Sequence, residues 1–158
     1  MDNNAMTFGG NYALASGGWQ AGSTNTQPSN SAAIPFTVNG VYGSRSITAA
    51  GYPWVQANPG GFQPHVGGTT RLYAVLLDSA AIVSMTQGPA VDTARLAAGI
   101  EALQFPPIPR DRVCAGFVRV ALTGGANFTP GTDPLTTAGN RTTSFINAMI
   151  CPPEPLRS

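Results

Sequence analysis

The sequence contains very little charge. Asp, Glu, Lys and Arg make up only 9% of the 158 residues, whereas roughly 25% is usual in a soluble protein. All eight basic residues are arginines, and lysine is absent. This composition excludes a coiled coil, a basic nucleic-acid-binding domain and a charged disordered tail. We therefore expect no direct contact with nucleic acid.

The few charges are unevenly placed along the chain. Residues 1–70 contain only Asp2 and Arg45, and residues 71–158 carry the other thirteen. No apolar run approaches the roughly 18 residues that span a bilayer, and no basic segment precedes an apolar one near the N-terminus. We expect neither a membrane segment nor a signal peptide.

Residues that carry catalysis or bind metals are also scarce. The single histidine, His65, lies in a loop rich in Gly and Pro, and the acidic residues are scattered. The chain has no G-x-S-x-G nucleophile motif, no phosphate-binding glycine pattern, and neither H-x-x-x-H nor EF-hand spacing. We expect no enzymatic activity, no cofactor and no metal, and we place His65 in solvent or at an interface.

Two cysteines, Cys114 and Cys151, are too few for a disulfide framework, and neither has a second ligand at metal-binding spacing. Two buried free thiols are the favoured interpretation, because free cysteine behaves as a small hydrophobe. A bridge between neighbouring strands is the alternative.

Alternating apolar residues predict strands joined by hairpins. Residues 34–38 alternate before Asn39-Gly40, which is a strong signal for a hairpin. Residues 70–77 are apolar on both faces and pair with residues 81–85 across a turn begun by Asp78, so they form the expected centre of the core. A long strand spans residues 113–122 and a last strand spans residues 143–150. On the long strand, Cys114, Val118, Val120 and Leu122 are expected on one face and Val113, Phe117 and Arg119 on the other.

Residues 92–103 are the only plausible helix, with Asp92 as its cap, and Gly99 weakens that prediction. Residues 34–158 are therefore predicted to form a single all-β domain, an antiparallel sandwich or barrel. Residues 1–33 show no period of either 2 or 3.6. We interpret them as an extended N-terminal arm, either disordered or docked on a neighbouring subunit through Phe8, Tyr12 and Trp19.

Aromatic residues and arginines are the candidate binding residues. The aromatics Trp19, Tyr42, Tyr52, Trp54 and Phe62 suggest either a sugar-binding face or anchors for a protein partner, and the low charge favours the partner. Arg110, Arg112 and Arg119 form a small basic cluster. We expect its arginines to bridge to a neighbouring subunit. The predicted interface residues are Phe8, Tyr12, Trp19, Tyr52, Trp54, Phe62, Arg110 and Arg112.

Residues 105–150 resemble a stretch of structural proteins of tailed double-stranded-DNA bacteriophages, namely capsid decoration (cement) proteins and head fibres. The resemblance rests on a Pro-punctuated segment, then Gly116-Phe117-Val118, then a loop of the form F-x-x-G-x-x-x-L from Phe128 to Leu135. These are packing motifs, so they transfer no functional residue.

The resemblance implies a β-sandwich of jelly-roll type that assembles, as a trimer, on the outside of the capsid after synthesis in the host cytoplasm. A virion structural protein of the cement type, bound to the major capsid protein and strengthening contacts between its subunits, is therefore the leading hypothesis. A carbohydrate-binding head-fibre or tail-associated module that recognises host-surface glycans is the alternative.

Overall fold

The computed structural model describes residues 10–137 and 139–147. The predicted interface residue Phe8 lies outside this part of the chain, as does Cys151. The elements in chain order are β1 (Tyr12–Ala13), β2 (Trp19–Ala21), β3 (Pro28–Asn30), β4 (Ile34–Val38), β5 (Val41–Arg45), β6 (Thr69–Asp78), β7 (Val83–Gln87), β8 (Val91–Asp92), α1 (Thr93–Ala97), β9 (Arg112–Leu122) and β10 (Arg141–Asn147).

The strands form antiparallel sheets. A three-stranded sheet has the order β1-β4-β5, and a larger sheet has the order β10-β9-β6-β7, with β8 also paired to β6. Strands β2 and β3 form a separate ribbon. The predicted all-β, antiparallel, sandwich-like fold is therefore confirmed.

The main core lies between the two sheets. Alternate residues of β4 point inward from one side, and Tyr73, Val75 and Leu77 of β6 point inward from the other. The opposite side chains of β6, Leu72, Ala74 and Leu76, belong to a second core on the outer face of the larger sheet. Strand β6 is thus buried on both faces, as its continuous apolar sequence predicts.

Both predicted hairpins are present. Asn39 and Gly40 have φ values of 51° and 76°, as expected of a turn with two left-handed residues, and they set the register of β4 against β5. Between β6 and β7, the Asp78 carboxylate accepts hydrogen bonds from the backbone N–H groups of Ala80 and Ile82, each at 2.9 Å.

A bulge in β9 changes the predicted faces of that strand. The register against β6 shifts between Val75 and Leu76, so that Ala115 has no partner on β6. As a result Val113 lies in the main core with Val118, whereas Cys114 lies in the second core with Phe117. The predicted faces of Val113 and Cys114 are wrong, because a strict period of 2 cannot anticipate one extra residue.

The helix is much shorter than predicted. Asp92 caps it as expected, since its carboxylate accepts a bond from the Arg95 N–H at 2.9 Å. The helix ends at Ala97, and Gly99 adopts a left-handed conformation with φ of 71°, which terminates helices. Within the described residues, no helix is long and apolar enough to cross a membrane.

Residues 10–33 do not form an arm separate from the domain. Strand β1 pairs with β4, and Trp19 at the start of β2 is only 3% exposed, in the main core. The boundary predicted at residue 34 therefore does not divide the described chain. The prediction failed because short strands among Gly and Ser produce no sustained period.

Candidate binding face

The three-stranded sheet turns one face away from the core. Ile34, Phe36 and Val38 of β4 point inward and are fully buried, so the side chains that alternate with them point outward. Tyr12 of β1 is paired with Thr37 of β4, and Thr37 with Tyr42 of β5. These three side chains form a row across the sheet, flanked by Leu14, Pro35 and Ser44. We call this surface the neutral face.

The neutral face is apolar and accessible. Tyr12 is 48% exposed, Leu14 49% and Tyr42 66%. The two tyrosines lie two strand spacings apart, about 10 Å at the backbone. Large exposed apolar residues gathered on one sheet face are typical of a binding surface.

Charge is missing from this surface for a reason visible in the sequence. Residues 10–44 include no Asp, Glu, Lys or Arg. The first charged residue that follows, Arg45 at the end of β5, stacks on the Tyr52 ring with its guanidinium carbon 4.9 Å from the ring centre. Its Nε donates to the Tyr52 hydroxyl at 3.2 Å. The Arg45 guanidinium therefore makes its contacts within the protein.

A buried asparagine holds the sheet and the neighbouring loop in place. The Asn30 side-chain oxygen accepts bonds from the Tyr52 hydroxyl at 2.6 Å and the Thr48 N–H at 3.0 Å. Its amide group donates to the carbonyls of Ala32 and Ser46 at 2.8 and 3.2 Å. Asn30 is only 1% exposed, and these bonds replace the water that burial removes.

Two predicted arginines have their backbone carbonyls near the start of β1. Asn11, next to Tyr12, donates from its side-chain amide to the backbone carbonyls of Arg110 and Arg112, at 2.6 and 2.9 Å. Arg110 is exposed. Arg112 is half-buried, and its guanidinium donates to the Ser84 hydroxyl. Of the predicted interface residues that the structure describes, Tyr12 and Arg110 are thus exposed.

Trp19 and Tyr52 were expected to be exposed anchors, and this prediction is wrong. Each is 3% exposed, and their rings meet edge to face with centroids 5.9 Å apart. The Trp19 indole N–H donates to the Ala115 carbonyl at 2.8 Å, in the bulge of β9. Gly116 makes room for this ring, because a Cβ there would lie 2.5 Å from Trp19 Cδ1.

Trp54 and Phe62 are half-buried parts of an aromatic cluster. Trp54 meets Phe62, Tyr73 and Phe128 edge to face, with centroids 5.2 to 6.1 Å apart. Its indole N–H donates to the Thr26 carbonyl at 2.8 Å. Both rings therefore hold the loop of residues 49–68 against the sheet, and neither projects freely toward a partner.

His65 belongs to the same cluster, so its predicted place in solvent or at an interface is wrong. It is 1% exposed. Its Nε2 lies 3.1 Å from the Thr69 carbonyl, which can only accept, so Nε2 carries the proton. Nδ1 then accepts from the Tyr73 hydroxyl at 2.9 Å. Burial, with a smaller contribution from the Arg71 charge, lowers the His65 pKa to about 4, and burial raises the pKa of Tyr73.

The motif residues that carry the phage resemblance have packing roles. Phe128 and Leu135 are buried in the main core, and Gly131 lies against the Trp54 ring. Cys114 is buried, as predicted. The described residues contain no group of three or more His, Cys, Asp or Glu side chains placed to hold a metal ion.

Sequence reasoning missed the row formed by Tyr12, Thr37 and Tyr42. The Asn39-Gly40 turn implies that Thr37 lies opposite Tyr42, and this signal was available. The pairing of Tyr12 with Thr37 joins residues 25 positions apart and has no local signal.

Fold and site together define an all-β antiparallel protein with an uncharged aromatic surface. Comparisons of the chain with protein-family models, with characterised protein sequences and with solved structures found no match. The neutral face and the sequence resemblance are therefore the two observations that bear on its function.

Proposed function

We propose that this protein is a non-enzymatic structural protein of a phage virion, a capsid decoration protein that docks on the major capsid protein through the neutral face. The observation that carries the proposal is the pair of exposed tyrosines, Tyr12 and Tyr42, on either side of the half-buried Thr37 on a surface without charge. The resemblance of residues 105–150 to capsid decoration proteins supplies the class of partner.

An uncharged face favours a protein partner of similar polarity. Burying tyrosine and leucine side chains releases water, and it requires no desolvation of charged groups on this side of the interface. Tyrosine is also enriched among the residues that dominate binding energies. Such a contact would bridge adjacent capsid subunits with little dependence on salt, because ion pairs contribute little to it.

One exposed arginine lies near the start of β1. The Arg110 carbonyl accepts from the Asn11 side chain, and Arg110 has no ion pair in the described part of the chain. Its guanidinium is suited to bind a carboxylate at the rim of an interface. We therefore expect Arg110 to affect the association rate more than the final affinity.

The test is binding to empty expanded capsids assembled from the major capsid protein encoded by the same genome. Tyr42→Arg places a charge on the face, at the β5 end of the row, and is expected to weaken cosedimentation with capsids by at least about a hundredfold, the loss of one strong anchor. Ile100→Arg, at an equally exposed position in the larger-sheet half, is the matched control and should bind normally. Normal binding by Tyr42→Arg would contradict the proposal.

Carbohydrate binding is a second candidate, and the geometry of the tyrosine row favours it. Tyr12 and Tyr42 lie on strands about 10 Å apart on the same sheet face, and their exposed rings could stack on sugar rings of an extended glycan. The Thr37 hydroxyl between them donates to the Gly10 carbonyl at 3.1 Å and can still accept a hydrogen bond. Trp54 is a poor probe of this function, since its ring also supports the loop.

The carbohydrate candidate is tested by screening the protein on host-surface polysaccharides. The double variant Tyr12→Ala/Tyr42→Ala should lose binding while its unfolding temperature stays near that of the original chain. An original chain that binds no glycan would remove this candidate and leave the capsid proposal untouched.

A further inference from the structure

We propose that the outer edge of β10 is a second interaction surface, and that its partner is the β10 strand of a second copy of this chain. The pairing would be antiparallel and two-fold, and it would join the larger sheets of two copies into one. This inference goes beyond the docking function, because it concerns a sheet edge and not the neutral face.

The two edges of the larger sheet differ in whether other parts of the chain cover them. On the β7 side, residues 55–57 cover the edge, since Met85 N–H donates to the Val55 carbonyl and Ala57 N–H to the Met85 carbonyl, both at 2.8 Å. The start of β6 is covered by β8. On the other side, β10 is the terminal strand, with no described strand beyond it.

The backbone groups that point outward from β10 can be identified. Thr123 N–H donates to the Asn140 carbonyl at 2.8 Å, and Thr143 N–H donates outward to the Thr137 hydroxyl at 3.4 Å. The even-numbered residues of β10 therefore bond to β9, and the odd-numbered ones face outward. Within the described chain, no partner is present for the Phe145 N–H, the Phe145 carbonyl or the Thr143 carbonyl.

Natural sheet edges are normally protected by lysine, proline, a bulge or an inward-pointing charge. The only charged residue of β10 is Arg141 at its start, whose guanidinium carbon lies 5.9 Å from the centre of the Phe128 ring. Residues 142–147 (TTSFIN) contain no charged residue and no proline, and their register against β9 is continuous. From Thr142 onward the edge therefore lacks the usual protection against pairing with another strand.

Exposed apolar side chains lie beside this edge. Ile146 is 43% exposed, and it is paired with Phe117 of β9. Phe117 in turn contacts Phe105, which is 56% exposed, with ring centroids 5.3 Å apart. A second copy paired at β10 would cover part of this apolar strip.

The outward-facing residues define one register for the pair. Phe145 lies opposite Phe145 of the second copy, and the two exchange both N–H···O=C bonds. The Thr143 carbonyl of each copy then accepts from the Asn147 N–H of the other, and the Asn147 carbonyl replaces the Thr137 hydroxyl, now 3.4 Å away, as the acceptor of the Thr143 N–H. No like charges meet within residues 142–147, so identical strands can pair without repulsion. This contact closes as a dimer, in contrast to the trimer that the phage resemblance implies.

Light scattering and sedimentation of the full chain across a dilution series test this inference. We expect a particle of twice the 16.2 kDa chain mass. Ile146→Lys should raise the dimer dissociation constant by at least about tenfold. Ile82→Lys, a more exposed isoleucine in the β6–β7 turn at 59%, is the matched control and should remain a dimer.

Amide exchange on the original chain gives a second measurement that needs no variant. The Phe145 N–H should become more protected as the protein concentration rises, while the exposed Tyr42 N–H serves as a reference that does not change. A monomer at all concentrations, a trimer, an Ile146→Lys variant that still dimerises, or a Phe145 amide indifferent to concentration would each overturn the inference.

Discussion

The two halves of the molecule satisfy their polar groups in different ways. In the half built from β1 to β5, residues 10–68 contain one charged residue, Arg45. In the half built from β6 to β10, most strands are longer, and the described charged residues other than Arg45 lie there. Asn11 and Trp19 join the halves through hydrogen bonds. Asn11 donates to the carbonyls of Arg110, just before β9, and of Arg112 at its start, and Trp19 donates to the Ala115 carbonyl within β9.

The difference shows how a surface can lack charge while the buried polar groups beneath it keep their hydrogen bonds. In the first half, neutral amides and hydroxyls form hydrogen bonds with irregular backbone. Asn30 alone makes three bonds to backbone groups and one to the Tyr52 hydroxyl. An amide offers donors and an acceptor without the desolvation cost of an ion. The second half instead satisfies its backbone through long regular ladders.

The largest expected effect comes from breaking the contact between the halves. Trp19→Ala removes a buried ring and its bond to Ala115, and should lower the free energy of unfolding by about 4 kcal/mol. Trp19→Phe, which keeps a ring but loses the bond, should cost about 1–2 kcal/mol. Urea unfolding measures both, with the exposed neighbour Gln20→Ala as control. A Trp19→Ala variant as stable as the control would contradict the burial of Trp19 in the main core and would support the extended arm.

Removing Asn30 is the next largest change. Asn30→Ala leaves the Thr48 N–H and the Ala32 and Ser46 carbonyls without their partner, which should cost about 3 kcal/mol. Asn127→Ala, which removes one exposed bond to Gly67, should cost less than about 1 kcal/mol. Thermal unfolding of the two variants compares them directly. Equal losses of stability would show that the half built from β1 to β5 does not depend on this buried amide.

Acid should weaken the protein through His65, whose loop lies between the halves. The folded pKa of about 4 is below the ordinary 6.5, so the unfolded chain takes up the proton first as pH falls below 6.5. Stability is complete above pH 6.5, and about 2 kcal/mol should be lost between pH 7 and pH 5. His65→Gln should flatten this part of the profile measured by urea unfolding. An unchanged slope in His65→Gln would assign the acid sensitivity to other groups.

The smallest effect on stability is expected on the neutral face. Tyr42→Arg changes an exposed side chain and should alter the free energy of unfolding by less than about 0.5 kcal/mol. Circular dichroism during heating checks this value. A large loss would mean that the ring is needed for folding, and the capsid-binding test would then require a gentler variant such as Tyr42→Ser.

Local patterns in the sequence predicted much of the fold. The Asn39-Gly40 hairpin, the doubly buried β6, the turn at Asp78 and the Asp92 cap are all set by residues close together in the chain, and each is confirmed. The bulge at Ala115 and the early end of α1 depend on single residues that interrupt a period, and the predictions extended through both.

The candidate site was harder to predict because it depends on contacts between distant residues. Aromatic side chains look alike in a sequence, and burial separates them only when the fold is known. Trp19 and Tyr52 are in the core, Trp54 and Phe62 support a loop, and Tyr12 and Tyr42 are exposed. The charge pattern correctly indicated which half is neutral. It did not indicate the neutral face, because that face forms when β1 pairs with β4, and this pairing has no local signal in the sequence.

The most direct test of the account is hydroxyl-radical footprinting of the protein, free and bound to expanded capsids. We predict that oxidation of Tyr12 and Tyr42 falls strongly on binding, while Ile100 and Ile82 in the other half are oxidised as before. Tyrosines oxidised equally in both states, with protection at Ile100 or Ile82 instead, would contradict docking through the neutral face.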